Sequence, residues 1–281
     1  MGVKVVRTVQ ALRDAVAPRR REGARIGLVP TMGALHDGHV ALVTHARSLA
    51  DVTIATIFVN PTQFAANEDL SRYPRTEEAD LARLSAAGAD LAFVPSPAEM
   101  YPQGFSARIE LDGPARAELE DRFRPGHFSG VATVCAKLFL QSGADVAIFG
   151  EKDWQQLAVV RAMARDLDIP IAIIGHPTVR ETDGLALSSR NRYLNAEDRA
   201  RAPTLHRVMT MIALRARQGD ALPSLLEDGR RMIVAAGFVL DYLEARHADT
   251  LAPIITLDQA PARLLVAART GSTRLIDNIA L

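Results

Sequence analysis

Cysteine is nearly missing from this 281-residue chain, where Cys135 stands alone. A single thiol closes no internal disulfide and builds no thiolate metal site by itself. It lies in the apolar run "GVATVCAKLF", where a small core residue is its simplest use. Net charge is missing too, since 33 Lys and Arg balance 33 Asp and Glu. No overall field therefore favours nucleic acid or an anionic membrane. No apolar run approaches the ~20 residues that a membrane helix needs. The N-terminal "MGVKVVRTVQALRDAV" interleaves charge with apolar residues, unlike the continuous apolar core of a secretory leader. Internal repeats and low-complexity segments are absent. These absences predict a cytoplasmic protein. What is present is ordinary for a globular chain, 48% hydrophobic and 23% charged. The length suits one large domain or two unequal ones.

Apolar, β-rich runs alternate with helical patterns over the first two-thirds. Strands are expected at 25–29, 52–59, 90–94, 145–149 and 170–174, and helices at 39–50, 76–87, 129–141 and 153–166. Near-continuous apolar strands separated by amphipathic helices indicate a parallel sheet covered on both faces. Right-handed crossovers then place the strand C-terminal ends on one edge, where open α/β sheets bind ligands. Beyond about residue 184 the pattern changes to helices at 196–217 and 222–236, then strands at 239–246, 262–269 and 273–277. The expected architecture is a Rossmann-like domain over 1–184 and a smaller α+β domain over 185–281.

The loop "VPTMGALHDGH" joins the first of those strands to a helix. A helix N-terminus offers unpaired N–H groups and a partial positive charge, which suits phosphate. Gly33 and Gly38 permit close backbone approach. His36 and His39 are i and i+3, so they share a face in a helical first turn. Phosphate contact is one reading, a bland polar loop another, and a zinc site a third. No third ligand lies nearby at a metal-site spacing.

Other stretches follow the same sheet edge. "FVNPTQF" carries Asn60 and Gln63, uncharged hydrogen-bonding groups for a small polar substrate or a capped Asn-Pro turn. "RFRPGHFSGV" offers Arg124 and His127 before a helix with Ser129 as N-cap. Pro125 and Gly126 alone also explain a turn there. "FGEKDWQQL" presents Lys152 as a point charge, Asp153 as a cap or indirect metal contact, and Gln156 on the first turn. Trp154 reads as packing. "LALSSRN" is a polar stretch at the domain junction, either a hinge loop or a solvated linker.

As a set, "PTMGALHDGH", "FVNPTQF", "RPGHFSGV", "FGEKDWQQL" and "LSSRN" closely resemble the pantoate–β-alanine ligase family, in the family's order from about residue 25 to 195. That family belongs with nucleotidyltransferases bearing a His-x-Gly-His motif and is related in fold to class I aminoacyl-tRNA synthetases. The C-terminal third fits the family's size but carries little recognisable motif. The resemblance implies ATP-dependent condensation of pantoate with β-alanine through a pantoyl adenylate, with Mg²⁺ accompanying ATP. It implies that Met32, Gly33, Ala34, Leu35, His36, Asp37, Gly38 and His39 cradle ATP, with both histidines on its phosphates and His39 as proton donor. Gly150, Glu151, Lys152 and Asp153, together with Leu187, Ser188, Ser189 and Arg190, match further ATP-binding segments. Lys152 and Arg190 fall on phosphate oxygens, and Val179 on a backbone contact to adenine. Gln63 and Gln156 match pantoate-holding residues, with Gln63 also beside the β-alanine site. Asn60 and Arg124 are candidate substrate contacts. Asp80, a weaker match shared with Glu120, falls near regions linked to magnesium or loop ordering. The resemblance also implies a homodimer and a lid role for the C-terminal domain. Three alternatives remain: a phosphate-accepting adenylyltransferase of the same superfamily, a non-catalytic ATP-binding regulator, and a zinc hydrolase built on His36 and His39.

Overall fold

Continuous apolar runs become the strands of a parallel sheet, because strands covered on both faces have no polar side to present. The computed structural model describes residues 2–64, 70, 73–258 and 261–281. Its chain divides into two units, one of Met1–Gly150 and Gln156–His176, the other of Glu151–Gln155 and Pro177–Leu281. The division at His176 precedes the expected boundary at 184, and the short segment 151–155 goes with the second unit.

In the first unit the order is β1 (Lys4–Val6), α1 (Val9–Arg21), β2 (Ile26–Val29), α2 (Asp37–Leu49), β3 (Val52–Thr56), α3 (Glu77–Ala87) and β4 (Leu91–Phe93). Then come the short α4 (Pro97–Met100) and α5 (Glu120–Phe123), α6 (His127–Ser142), β5 (Val146–Gly150), α7 (Trp154–Asp166) and β6 (Ala172–His176). The first residues of α7 belong to the second unit. Among the described residues six strands pair in the order β1-β4-β3-β2-β5-β6, all parallel. The chain leaves β2 for β3 on one side and later reaches β5 on the other. The switch point therefore falls between β2 and β5, whose C-terminal ends flank the usual ligand crevice of such sheets. Val29, Val43, Ala46, Ala55, Ala92 and Ile148, all fully buried, form the core between α2, α3 and the sheet.

Besides the short α4 and α5, the strand β1 and the helix α1 escape the sequence patterns. β1 is three residues long, holds Lys4 and pairs on one side only. α1 is capped by Thr8, whose hydroxyl accepts from Ala11 N at 3.1 Å, but its arginine-rich turns mask the apolar stripe of Leu12 and Val16. α6 starts at His127, ahead of the expected 129. Gly126, at φ 79°, takes the N-cap position expected of Ser129, and Ser129 instead donates from inside the helix to Glu110 Oε1 at 2.8 Å. Cys135 is buried in α6, and that burial pushes its thiol up to about 12.

The second unit holds α8 (Ala196–Arg201), α9 (Thr204–Arg217), α10 (Leu222–Ala235) and the antiparallel sheet β7 (Val239–His247), β8 (Ala262–Thr270) and β9 (Thr273–Ala280). Met209 and Ile212 of α9, Ile233 of α10, and Leu243, Leu264 and Val266 of the sheet are fully buried together. The single helix expected over 196–217 is broken. Pro203 has no N–H to donate and its ring crowds the preceding turn, so α9 begins after it. Among the described residues no helix is long and apolar enough to cross a membrane.

Gly27 of β2 shows how closely α2 sits on the sheet. A Cβ there would lie 2.9 Å from the Ala50 Cβ at the end of that helix, and a methyl carbon has no rotamer to yield. Gly27→Ala is expected to destabilise the protein by about 1–3 kcal/mol through overpacking, read as a lower urea midpoint with unchanged slope.

Candidate functional site

The loop between β2 and α2 is shaped by buried polar groups. Thr31 N donates to Thr56 Oγ1 at 3.0 Å, and Gly33 N donates to Thr31 Oγ1 at 3.2 Å. Gly33 and Ala34 then take positive φ, 82° and 51°. For alanine that conformation carries strain and needs outside support. Asp80, on α3 and 2% exposed, supplies it. Its Oδ2 accepts from Ala34 N at 2.9 Å and its Oδ1 from Leu35 N at 2.8 Å. Thr76 Oγ1 also donates to Oδ2, at 3.2 Å.

The turn delivers His36 to the N-cap of α2. His36 Nδ1 accepts from Gly38 N, and His39 Nδ1 accepts from His36 N, both at 3.2 Å. An imidazole nitrogen that accepts a backbone N–H carries no proton, so each neutral ring holds its proton on Nε2. The ring centroids lie 4.1 Å apart. The two histidines therefore form a paired set of Nε2–H donors at a helix N-terminus, a fitting arrangement for anionic oxygens. Asp37, exposed, pairs with Arg83 Nη1 at 2.9 Å.

A buried amide cluster follows β3. Asn60 is 1% exposed and Gln63 8%. Asn60 Nδ2 donates to Gln63 Oε1 at 3.0 Å and to Gly130 O at 3.2 Å, while Asn60 Oδ1 accepts from Tyr101 OH at 2.7 Å and Thr62 Oγ1 at 2.9 Å. Both amide hydrogens of Asn60 are thus used within the protein, one of them on the Gln63 side chain. Gln63 Nε2 is turned to Met32 Sδ, 3.2 Å away in the histidine loop. A Cβ at Gly130 would stand 2.4 Å from Thr62 O, so only glycine lets α6 approach this turn. His127 Nε2 lies 3.0 Å from Arg124 Nη1, and its Nδ1 lies 2.9 Å from Gln63 O. Arginine only donates, so Nε2 accepts and Nδ1–H donates to the Gln63 carbonyl. A cavity of about 260 Å³ opens here, lined among others by Gln63, His127, Ser129, Phe105 and Arg108. The structure thus brings Met32, Asn60, Gln63 and Arg124 together in the first unit. Tyr101, Gly130 and His127 complete the cluster, and of these only His127 carried a sequence signal. Gly150 closes β5, and Gln156 is half-buried in the first turn of α7.

The remaining expected residues lie in the second unit. Glu151, Lys152 and Asp153 form a short 3₁₀ turn. Lys152 Nζ lies 3.8 Å from Asp153 Oδ2, and the lysine side chain is 17% exposed. Trp154 donates from Nε1 to Ala248 O at 2.7 Å, and the Arg263 guanidinium stacks 3.5 Å from its ring centroid, in keeping with a packing role. Val179 O accepts from Leu187 N at 3.0 Å, and Arg180 bridges to Ala186. Ser188 caps the turn Ser189–Tyr193 by accepting from Arg190 N at 3.3 Å.

Metal ligation fares differently. Asp80 was the sequence candidate, yet both its oxygens accept backbone N–H bonds and it is buried, so its donor set does not fit a magnesium ion. Among the described residues no group of three or more His, Cys, Asp or Glu is arranged to hold a metal, and the Nδ1 atoms of His36 and His39 are already committed to the helix cap.

The sequence profile described as pantoate-beta-alanine ligase matches residues 4–280. A pantothenate synthetase from Nitrobacter hamburgensis is 58% identical over 275 residues, covering 98% of this chain and 97% of its own length. The crystal structure of pantothenate synthetase from Thermus thermophilus aligns with a TM-score of 0.94 at 49% identity, covering 99% of each chain. The crystal structure of pantoate-beta-alanine ligase from Francisella tularensis, complexed with beta-gamma ATP and beta-alanine, aligns with a TM-score of 0.82 at 34% identity. That alignment covers 99% of this chain and 97% of the other.

Asparagine at position 80 would keep the shape but present an NH₂ to one of two backbone N–H groups. Asp80→Asn is expected to lower stability by about 1–3 kcal/mol, the cost of a buried donor left unpaired, in urea unfolding. A loss below about 0.5 kcal/mol would show that the loop keeps its conformation without the carboxylate.

Proposed function

The chain belongs to the pantoate-beta-alanine ligase family, and on that premise we propose that it joins pantoate to β-alanine in an ATP-driven reaction that passes through a pantoyl adenylate. The observation that carries this reading is the pair of Nε2–H donors that the α2 cap orients on His36 and His39. It is supported by the Francisella tularensis relative, whose crystal structure is described as a complex with beta-gamma ATP and beta-alanine.

A carboxylate resists attack by an amine because oxide is a poor leaving group. One carboxylate oxygen of pantoate therefore attacks the α-phosphorus of ATP, an O–P bond forms, and pyrophosphate leaves. Negative charge grows on the phosphoryl oxygens as this happens, and donors already aimed at them lower the barrier without reorganising. In this proposal the segment Met32–His39 receives the nucleotide, with His36 and His39 on its phosphates and His39 as proton donor. Lys152 and Arg190 add cationic charge, and the segments Gly150–Asp153 and Leu187–Arg190, with Val179, complete the nucleotide contacts. The neutral amine of β-alanine then attacks the acyl carbon, the C–O bond to phosphate breaks, AMP leaves, and the nitrogen gives up its extra proton.

Gln63 and Gln156 hold pantoate through uncharged hydrogen bonds. Asn60 orients Gln63, and Arg124 acts on the same residue's carbonyl through His127. A mixed anhydride hydrolyses if wet, which gives the proposed lid its purpose. Magnesium enters as the counter-ion of the ATP phosphates, and since Asp80 does not fit it, no step is assigned to an Asp80-bound ion. Within the expected division at 184, the first domain supplies the histidines and amides. The second supplies Arg190 and serves as a lid, and the chain works as a cytoplasmic homodimer.

Attack at the α-phosphorus leaves one pantoate oxygen on that phosphorus. Pantoate carrying heavy oxygen in its carboxylate is expected to yield AMP with one heavy oxygen, read by mass spectrometry. Label-free AMP, or ADP with the label in phosphate, would show an acyl-phosphate route or none, and would remove the roles given to His36, His39 and Lys152.

A further inference from the structure

The C-terminal strand β9 carries an Asp-Asn pair that the sequence patterns leave without a role. Neighbouring strand residues point to opposite faces, and both side chains are buried here, Asp277 6% and Asn278 2% exposed. Asp277 receives a two-pronged contact from Arg180, Nη1 to Oδ2 at 2.6 Å and Nη2 to Oδ1 at 2.9 Å. Arg180 also donates to Gly184 O at 3.0 Å, which ties down the stretch between Val179 and Leu187. Asn278 Nδ2 donates to Glu151 O and to Lys152 O, both at 2.8 Å. Its Oδ1 accepts from Arg263 Nη1 at 2.6 Å. Arg263 Nη2 in turn reaches Glu151 Oε2 at 2.7 Å, and its guanidinium lies over Trp154. The turn that bears Lys152 is therefore fastened to β8 and β9 at two successive carbonyls, one carboxylate and the next side chain.

We infer that Asn278 and Arg263 are positioning residues for Lys152, and that β9 is the mount on which the turn 151–153 and the loop 179–187 are held together. The inference rests on the proposed role of Lys152 at the nucleotide phosphates. Its chemistry is specific to asparagine. Two carbonyl oxygens need two donors from one atom, and Arg263 needs an acceptor beside it, a set that a primary amide supplies. Aspartate has the same shape but would turn one oxygen, with no hydrogen to donate, toward both carbonyls. A lysine is a flexible point charge, so the direction of its ammonium is set by the backbone that carries it. A shift of about 1 Å in that backbone is enough to weaken catalysis strongly.

The test is a double-mutant cycle on the adenylate half-reaction, measured as exchange of labelled pyrophosphate into ATP with pantoate present. Asn278→Asp is expected to slow exchange about tenfold or more. Its reaction of supplied pantoyl adenylate with β-alanine should stay within about twofold of the parent. In a Lys152→Ala background the same change should add less than about twofold, because the two residues act as one unit. Full additivity, or a near-normal Asn278→Asp variant beside a slow Lys152→Ala variant, would overturn the mount and leave the reading of Lys152 standing. A Lys152→Ala variant with normal exchange would overturn that reading and the inference with it. If Asn278→Asp fails to fold by circular dichroism, Arg263→Lys replaces it. That variant keeps the cation but loses the fork, and the same lack of additivity with Lys152→Ala is expected. Additivity there would overturn the inference as well.

Discussion

Two backbone N–H groups, those of Ala34 and Leu35, end on one buried carboxylate, and the geometry of the histidine loop follows from that contact. Without Asp80 the loop would hold an alanine at positive φ and two buried donors with nothing to receive them. With it, the chain turns sharply after β2 and sets His36 at the cap of α2, where the two rings take backbone N–H bonds on Nδ1. The proton location on each imidazole follows from these local N–H bonds, and the loop that leads into them is anchored by a residue on α3. Gly33 is bound into the same arrangement, since a Cβ there would come within 3.0 Å of Asp80 Oδ2.

The amide cluster works by a related rule. A buried polar side chain must be matched, and the residues that match it decide which way it faces. Asn60 and His127 take no position of their own choosing. Tyr101, Gly130 and Arg124 fill their remaining hydrogen-bonding capacity, so Gln63 is left with its carbonyl oxygen on Asn60 and its NH₂ group toward Met32. In the second unit Asn278 treats the backbone of the Lys152 turn in the same way. In each place a functional candidate is held by residues whose own types look unremarkable in the sequence.

Legibility varied with the kind of force involved. β2, β3, β4 and β5 emerge from continuous apolar runs, because burial on both faces leaves its mark on every residue of a strand. β1 does not, since three edge residues with one neighbour carry no such pattern. The break at Pro203 lay in plain view, and an apolar period running through it concealed it. The five loop motifs were readable as the family's, because glycine, histidine, lysine and amides in that order are specific as a set even where each alone has a bland use. Asp80 was visible as a residue of note, but the magnesium role expected of it gave way to that of a loop anchor.

By itself, then, the sequence determined the parallel α/β architecture, the smaller C-terminal α+β unit and the family, through burial patterns and loop composition that act over a few neighbouring residues. Only the tertiary structure decided which atoms of those loops are held, and by what. Asp80 meets Ala34 across 46 positions, and Asn278 meets Lys152 across 126. A hydrogen bond depends on distance and direction in space. Chain separation of that size leaves no periodicity from which either could be read.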